Sequence, residues 1–492
     1  MMHWFFIAPL LCVLLGAFTV MLADAFSDEH ADHAFVASGV LFLTLALSAS
    51  LFFLHAQSPV PGLFSRYLSS DYSALFFDIV IVSGALLSTL LAGGYLKEHG
   101  LERGEFYVLL LLSTFGAMIL ARATDLLSIF IGLETMSLGV YCLVAYRHAS
   151  PRATEASLKY FLLGSFSAAI FLFGSALLYG ATGVTGLAEI GKSIASGSPD
   201  LRLVIVAMLL LLTGMAFKVS AVPFHMWTPD AYEGAVTPIS TYMSIVVKAA
   251  AFALLIRVML GLFADPVNTN MSSGWPPLLG VLAGLTMIVG NLCAVVQQSV
   301  KRMLAYSSIS HAGFILLGVA CAPEGGKYAL ASVFFYLLAY TVSNALAFGS
   351  LILMGSRGKE AVSYEDLAGI GIRRPLAALP LTLGMLSLMG MPPTAGFFAK
   401  YYVLSSAVDA GGLMLWVAIV GVVTSAIGAY YYLRVLVYAY MRQPEVNAPI
   451  AVPMRSGYVV VGLSLASIFV IKMGLMPAGY IAWVLRAAAQ MY

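Results

Sequence analysis

Long apolar runs alternate with short polar links along almost the whole chain. Crossing a bilayer as a helix takes roughly 20 apolar residues. Windows of that kind begin near Phe5, Phe35, Tyr72, Phe106, Leu126, Leu158, Leu203, Ile239, Pro277, Leu304, Tyr328, Leu376, Leu413 and Val459. The pattern predicts an all-α integral membrane protein with about fourteen transmembrane helices. A β-barrel is excluded, because its strands would be short and alternating. The first run, "MHWFFIAPLLCVLLGAFTV", lacks a basic leader and a small-residue cleavage site, so it reads as a span that stays. The longest polar link, "GSRGKEAVSYEDLAGIGIRRP", is expected to form a short surface helix.

Two runs are interrupted. In "GMAFKVSAVPFHMWTPDAYEGA" Pro223 cannot donate to the Val219 carbonyl, and in "GMPPTAGFFAKYYV" Pro392 and Pro393 leave Leu388 and Met389 in the same position. Both segments are longer than one span, which fits two half-helices with a break at each. Carbonyls freed in a bilayer must face protein, polar side chains or water.

The interrupted runs belong to a repeat. "YFLLGSFSAAIFLFGS" from Tyr160 resembles "FYLLAYTVSNALAFGS" from Phe335. Gly214-Met215 precedes Pro223 by the same interval that separates Gly384-Met385 from Pro393. The matches relate span six to eleven and span seven to twelve. A shift of five helices turns the second copy upside down, so spans 4–8 and 9–13 are expected to be inverted repeats, as in transporters. The expected organisation is 1–104 for three N-terminal spans, 105–264 and 265–442 for the repeats, and 443–492 for a last helix and tail.

Composition narrows the chemistry. The chain is 61% hydrophobic and 10% charged, with a formal net charge of +2, so no nucleic-acid partner is suggested. The four cysteines (Cys12, Cys142, Cys293 and Cys321) lie far apart in apolar segments and read as small packing residues. No spacing suggests a metal site, and no glycine-rich loop suggests a nucleotide. With the N-terminus outside, Lys97, Arg103, Arg147, Arg152, Lys301, Arg302, Arg357, Lys359, Arg373, Arg374, Arg442 and Arg455 fall in cytoplasmic links, which favours both termini on the outer side.

Against this background a few charges stand out. Glu134, Lys218 and Lys248 lie in the middle of spans five, seven and eight, and Lys400 follows the second break. A centred charge costs about 2.5–3.5 kcal/mol on insertion scales. An ammonium in a partly dry site with a movable partner can exchange protons near neutral pH, as a proton relay requires. Asp78, about two turns into its span, is a further candidate, and His225 and His311 can also carry protons. A structural ion pair is the other reading of each charge, and Ser220 near Lys218 leaves an intramembrane hydrolase as a weaker one.

These residues resemble a known family. "GLETMSLGVY", "FKVSAVPFHMWTPDAYEGA", "VVKAAAFALL", "KRMLAYSSISHAGFILLG" and "GMPPTAGFFAKYYV" are similar to the antiporter-like membrane subunits of proton-pumping NADH–quinone oxidoreductase, respiratory complex I. The resemblance runs from about span four to span thirteen. Lysine at 400, rather than glutamate, and the lack of a long C-terminal lateral helix make the chain most similar to the N type.

The resemblance implies a relay of Glu134, Lys218, Lys248 and Lys400, with redox chemistry elsewhere. Flavin, iron–sulfur clusters and quinone would belong to partner subunits, with no cofactor in this chain. The expected partners are other membrane subunits, including further antiporter-like ones, and lipid. The expected location is a bacterial-type inner membrane. A multi-subunit cation/proton antiporter is the alternative.

Overall fold

The computed structural model describes residues 6–26, 32–54, 64–355, 360–443 and 456–491. Arg357, Lys359 and Arg455, placed in inner links by the charge pattern, lie outside the described residues. Among the described residues every regular element is helical.

Among the described residues thirteen helices are long and apolar enough to cross a membrane: Ala8–Phe26, His33–Leu54, Tyr72–His99, Gly104–Arg122, Leu126–Val144, Pro151–Thr182, Leu201–Val219, Thr237–Leu262, Trp275–Val295, Val300–Ala320, Ala322–Met354, Gly412–Met441 and Gly457–Leu475. The remaining predicted crossing is in two pieces, Pro375–Met389 and Ala395–Ala410, of 15 and 16 residues. Each piece is shorter than the roughly 20 residues a span needs, so only the pair can cross. Counting that pair as the twelfth span gives the fourteen that the hydrophobic runs predict. The seventh span breaks after Val219 and resumes as Trp227–Gly234. Both breaks contain a cis X-Pro bond, Val222–Pro223 and Pro392–Pro393. The eighth span is continuous, but its turns widen to π geometry at Met243–Val247 and Val258–Leu262.

Position in the bundle follows from composition. The eighth, tenth and eleventh spans have 94% of their apolar windows buried, whereas the first, second and thirteenth have 33%. The former make the centre and the latter an apolar outer face. Close helix contact comes from small residues. A Cβ on Gly116 of the fourth span would lie 2.4 Å from the Met136 amide nitrogen of the fifth, and one on Gly290 of the ninth 2.6 Å from that of Ser310 on the tenth.

The two five-span runs share another local device. Asp125 caps the fifth span by accepting from Leu127 at 2.9 Å, and it bridges to Gly186 beyond the sixth span. Ser299 caps the tenth by accepting from Arg302 at 3.2 Å, and it bridges to Ser363 beyond the eleventh.

Three features depart from the sequence pattern. The polar link before the twelfth span carries a 3-10 turn, Glu365–Leu367, and one helical turn, Ile370–Arg373, instead of a surface helix. Its apolar members decide this, for Tyr364 and Leu367 are buried against the bundle. Lys301 sits not in an open link but in the first turn of the tenth span, 1% exposed. Two short helices, Leu187–Ala195 and Pro477–Ala488, were missed because each is too short to read as a span.

Candidate functional site: a row of buried charges

Lys218 occupies the last turn of Leu201–Val219, next to the first break. Ser220 then turns the chain in the left-handed region, with φ 65°. The lysine is 1% exposed, and its Nζ donates to Ser137 Oγ at 2.8 Å and toward Tyr141 Oη at 3.4 Å. Glu134, Ser137 and Tyr141 are three and seven residues apart on one face of the fifth span. Glu134 therefore stands one turn from the direct partner and acts on Lys218 through space. The half-helix after the break is tied back by Trp227, whose indole N–H donates to the Phe217 carbonyl at 2.9 Å.

Lys248 begins the α-helical stretch after the first π turn of the eighth span. It is 1% exposed, donates to the Ser308 carbonyl, and lies 5.9 Å from the centre of the Tyr340 ring. The π turn re-aims the side chain by one residue's rotation, a device frequent at functional sites. His311, one turn beyond Ser308, is held by two tyrosines. Its Nδ1 is 2.6 Å from Tyr336 Oη and its Nε2 3.0 Å from Tyr432 Oη.

Lys400 lies on the second half of the twelfth span and reaches back across the break. Its Nζ donates to the Met389 carbonyl at 2.9 Å. Proline at 393 cannot donate to that oxygen, so the ammonium takes the place of the missing N–H. The Phe314 ring lies 5.4 Å from the same Nζ. Glu134 and Lys400 are partly exposed at the surface of this chain, while Lys218 and Lys248 are sealed inside.

The other candidates fall elsewhere. Asp78 is fully buried against Arg122, whose Nε donates to its two carboxylate oxygens at 3.2 and 3.0 Å. Arg122 also donates to the Phe6 carbonyl at 2.6 Å. The structure thus brings Asp78 to an arginine rather than to the lysines. His225 lies in the turns after Pro223, half-buried, and its Nδ1 has no protein partner.

Several members were missed by the sequence reading. Ser137 and Tyr141 share the helical face of Glu134, a signal that was present. Nothing local marks Arg122, Arg257 on the eighth span, which pairs with Asp71 at 3.0 Å, or the Lys301–Glu360 pair, whose partners are remote in sequence. Lys301 Nζ donates to the Ala235 carbonyl at 2.5 Å and faces Glu360 Oε2 at 3.4 Å. Glu360 Oε1 accepts from Tyr95 and, at 3.1 Å, from Thr237 Oγ1. Asp230 and Glu233, beyond the first break, both meet Arg302, at 2.7 and 3.0 Å. Among the described residues no three or more His, Cys, Asp or Glu side chains gather to hold a metal.

Known proteins place this arrangement. Residues 123–428 match the family described as NADH:quinone oxidoreductase/Mrp antiporter, transmembrane. NADH-quinone oxidoreductase subunit N 1 of Sorangium cellulosum is 53% identical, over 98% of this chain and 97% of the relative. Subunit N of Myxococcus xanthus is 39% identical, over 98% and 96%. A chain of respiratory complex I from Thermus thermophilus, solved with bound aureothin, superposes with TM-score 0.79 at 33% identity, covering 96% of this chain and 98% of that one. A chain of the Mrp complex from Dietzia sp. reaches TM-score 0.85 at 24% identity, covering 99% and 97%, and so shares the fold. Full-length likeness to curated relatives, over a bundle broken at both proline sites, settles the family: this chain belongs to the subunit N family of NADH-quinone oxidoreductases.

Proposed function

We propose that this chain moves protons across the membrane through Glu134, Lys218, Lys248, His311 and Lys400, driven by redox chemistry in partner subunits. The carrying observation is that these ionisable groups lie within the bundle, Lys218, Lys248 and His311 being buried, on spans that include both broken ones. Lys218, Lys248, His311 and Lys400 each bond a hydroxyl or a backbone carbonyl of another helix or half-helix. Four centred charges are a heavy burden in a bilayer unless they are used. The coupling is electrostatic: a charge change near Glu134 weakens its hold on the Lys218 ammonium, and the proton passes inward. His225 lines the first break as a secondary group, and Asp78 remains a candidate only if its pairing with Arg122 opens.

In this reading 105–264 and 265–442 are two inverted repeats, flanked by 1–104 and 443–492. The matching caps and breaks in the two runs support it. The likeness of this chain to a subunit of a respiratory complex supports partners among other membrane subunits, further antiporter-like ones included. Flavin, iron–sulfur clusters and quinone would then sit in those partners, in a bacterial-type inner membrane, with both termini of this chain outside.

The test is Lys248→Ala in the assembled complex, reconstituted in vesicles. Normal assembly with at least a tenfold loss of proton pumping is expected. Full pumping would remove Lys248 from the path.

A further inference from the structure

Beside Lys248 three buried hydroxyls gather. Tyr232 comes from the second half of the seventh span, Ser308 from the tenth and Tyr340 from the eleventh. The Ser308 hydroxyl neighbours both tyrosine hydroxyls, and Asn344 neighbours that of Tyr340, yet none of these contacts closes into a well-formed hydrogen bond. Tyr232 and Ser308 are 0% exposed and Tyr340 4%. A buried hydroxyl left unpaired is costly, so such groups are where proteins retain ordered water.

Tyr340 looks two ways. Its ring faces the Lys248 ammonium and stands 5.1 Å from that of His311. It also lines a small cavity with His311, Tyr336, Ser343, Ser387 and Gly396. The space open to the centre of a water molecule there is about 10 Å3, the threshold for one water.

The far wall is the second break. Ser387 Oγ lies 2.7 Å from Ser343 Oγ and accepts from the Gly396 amide at 3.2 Å. A Cβ on Gly396 would lie 1.8 Å from the Ser387 carbonyl oxygen, so only glycine lets the two half-helices meet at this wall. Two residues beyond Ser387 is Met389, whose carbonyl holds Lys400. His311 already spends both ring nitrogens on Tyr336 and Tyr432. Of the side chains around the cavity, Tyr340 is the one whose hydroxyl closes no well-formed hydrogen bond, with Ser308 and Asn344 only nearby.

We propose that this cavity is a single-water site, and that the Tyr340 hydroxyl passes protons between Lys248 and that water, toward the break at Lys400. The inference rests on the relay reading given above. The Lys248 N–H bond breaks as its proton binds a lone pair of the hydroxyl oxygen, which releases its own proton to the water. The water repeats the exchange across the break, and an N–H bond forms on Lys400 once that lysine has released its own proton onward and stands as the neutral amine. Every O–H bond broken on the way is remade.

The test compares Tyr340→Phe with Lys400→Ala in the assembled complex, reading proton pumping in vesicles. Phenylalanine keeps the ring and removes only the hydroxyl. A fall of at least threefold, with assembly unchanged, is expected. Full pumping in Tyr340→Phe beside loss in Lys400→Ala overturns this inference alone, whereas full pumping in Lys400→Ala overturns the relay itself. Should Tyr340→Phe not assemble, Ser343→Val decides, because its methyl groups fill the cavity. Pumping at full rate with the cavity filled overturns the proposal. A high-resolution map of the native complex gives an independent reading. Density for one water within hydrogen-bond reach of Tyr340 Oη supports the site, and a dry cavity overturns it.

Discussion

At the seventh span the lysine precedes the break, and at the twelfth it follows it. Lys218 ends the first half-helix, sealed from the surface, with Ser137 as its direct partner and the Glu134 carboxylate one turn further. Lys400 belongs to the second half-helix, is partly exposed, and takes the carbonyl that the proline leaves free. The backbone device is shared, but the electrostatics are not. At the first break the ammonium answers to a carboxylate on another helix, so a change of charge there can loosen it. At the second it answers to the break itself, so its hold follows the distance between the two half-helices. On the proposed relay reading, the first site receives a signal and the second responds to a local opening.

Removing the first member should have the largest effect. Lys218→Ala in the assembled complex is expected to lower proton pumping at least tenfold. Glu134→Ala should lower it severalfold, and Glu98→Ala, which alters a carboxylate at the C-terminal end of the third span, should leave it unchanged. Equal losses at Glu134 and Glu98 would show that the first site responds to overall charge rather than to a partner of Lys218. Vesicle pumping with quantified complex separates the outcomes.

A smaller effect is expected at the link between the first break and the eighth span, where Lys301 meets Ala235 and Glu360 meets Thr237. Burial alone would raise the Glu360 carboxyl. The Lys301 ammonium, with Tyr95, Arg147 and Thr237, outweighs it and holds the group at about 2, below the ordinary 4.5. A carboxyl depressed in the folded state adds stability that is complete above its unfolded value and lost as pH falls through the folded one. The contribution of Glu360 is therefore whole near neutrality and fades between about pH 4.5 and about pH 2. Glu360→Gln should destabilise the chain by on the order of 3 kcal/mol at neutral pH. Its unfolding midpoint should converge with that of the parent protein as pH falls through that window. A difference that persists unchanged to the acid end would contradict the assignment.

The smallest effects lie in the turn residues. Ser220 and Gly390 both take the left-handed region, at φ 65° and φ 90°. Gly390→Ser should destabilise by about 1–2 kcal/mol, through backbone strain. Its Cβ would also come within 3.0 Å of Lys400 Cδ, so pumping should fall as well. Ser220→Gly relieves similar strain but loses the hydrogen bond from Thr228 Oγ1 at 2.8 Å. Its net change should stay within about 1 kcal/mol. Thermal unfolding of the two variants side by side measures the asymmetry, and equal shifts would contradict it.

The legible parts of this protein are those set by the bilayer. Apolar length marks the spans, and proline marks the breaks, because both requirements act locally. That Lys218 and Lys248 lie deep in the bundle was legible from their places at mid-span. What each charge touches was not. Asp78 meets Arg122 across 44 residues of sequence, and Lys301 meets Glu360 across 59. Such partners are chosen by helix packing, which no local pattern records. The role of Met389 lay in between: proline chemistry frees its carbonyl, but only the fold shows that Lys400 takes it.

Arginine at position 400 tests the central claim most directly. It keeps the positive charge and the reach toward the Met389 carbonyl but is effectively never deprotonated. If the row carries protons, Lys400→Arg in the assembled complex should pump nearly as poorly as Lys400→Ala, with normal amounts of complex. Full coupled pumping by the arginine variant, beside loss in the alanine variant, would make Lys400 a structural brace and contradict the relay.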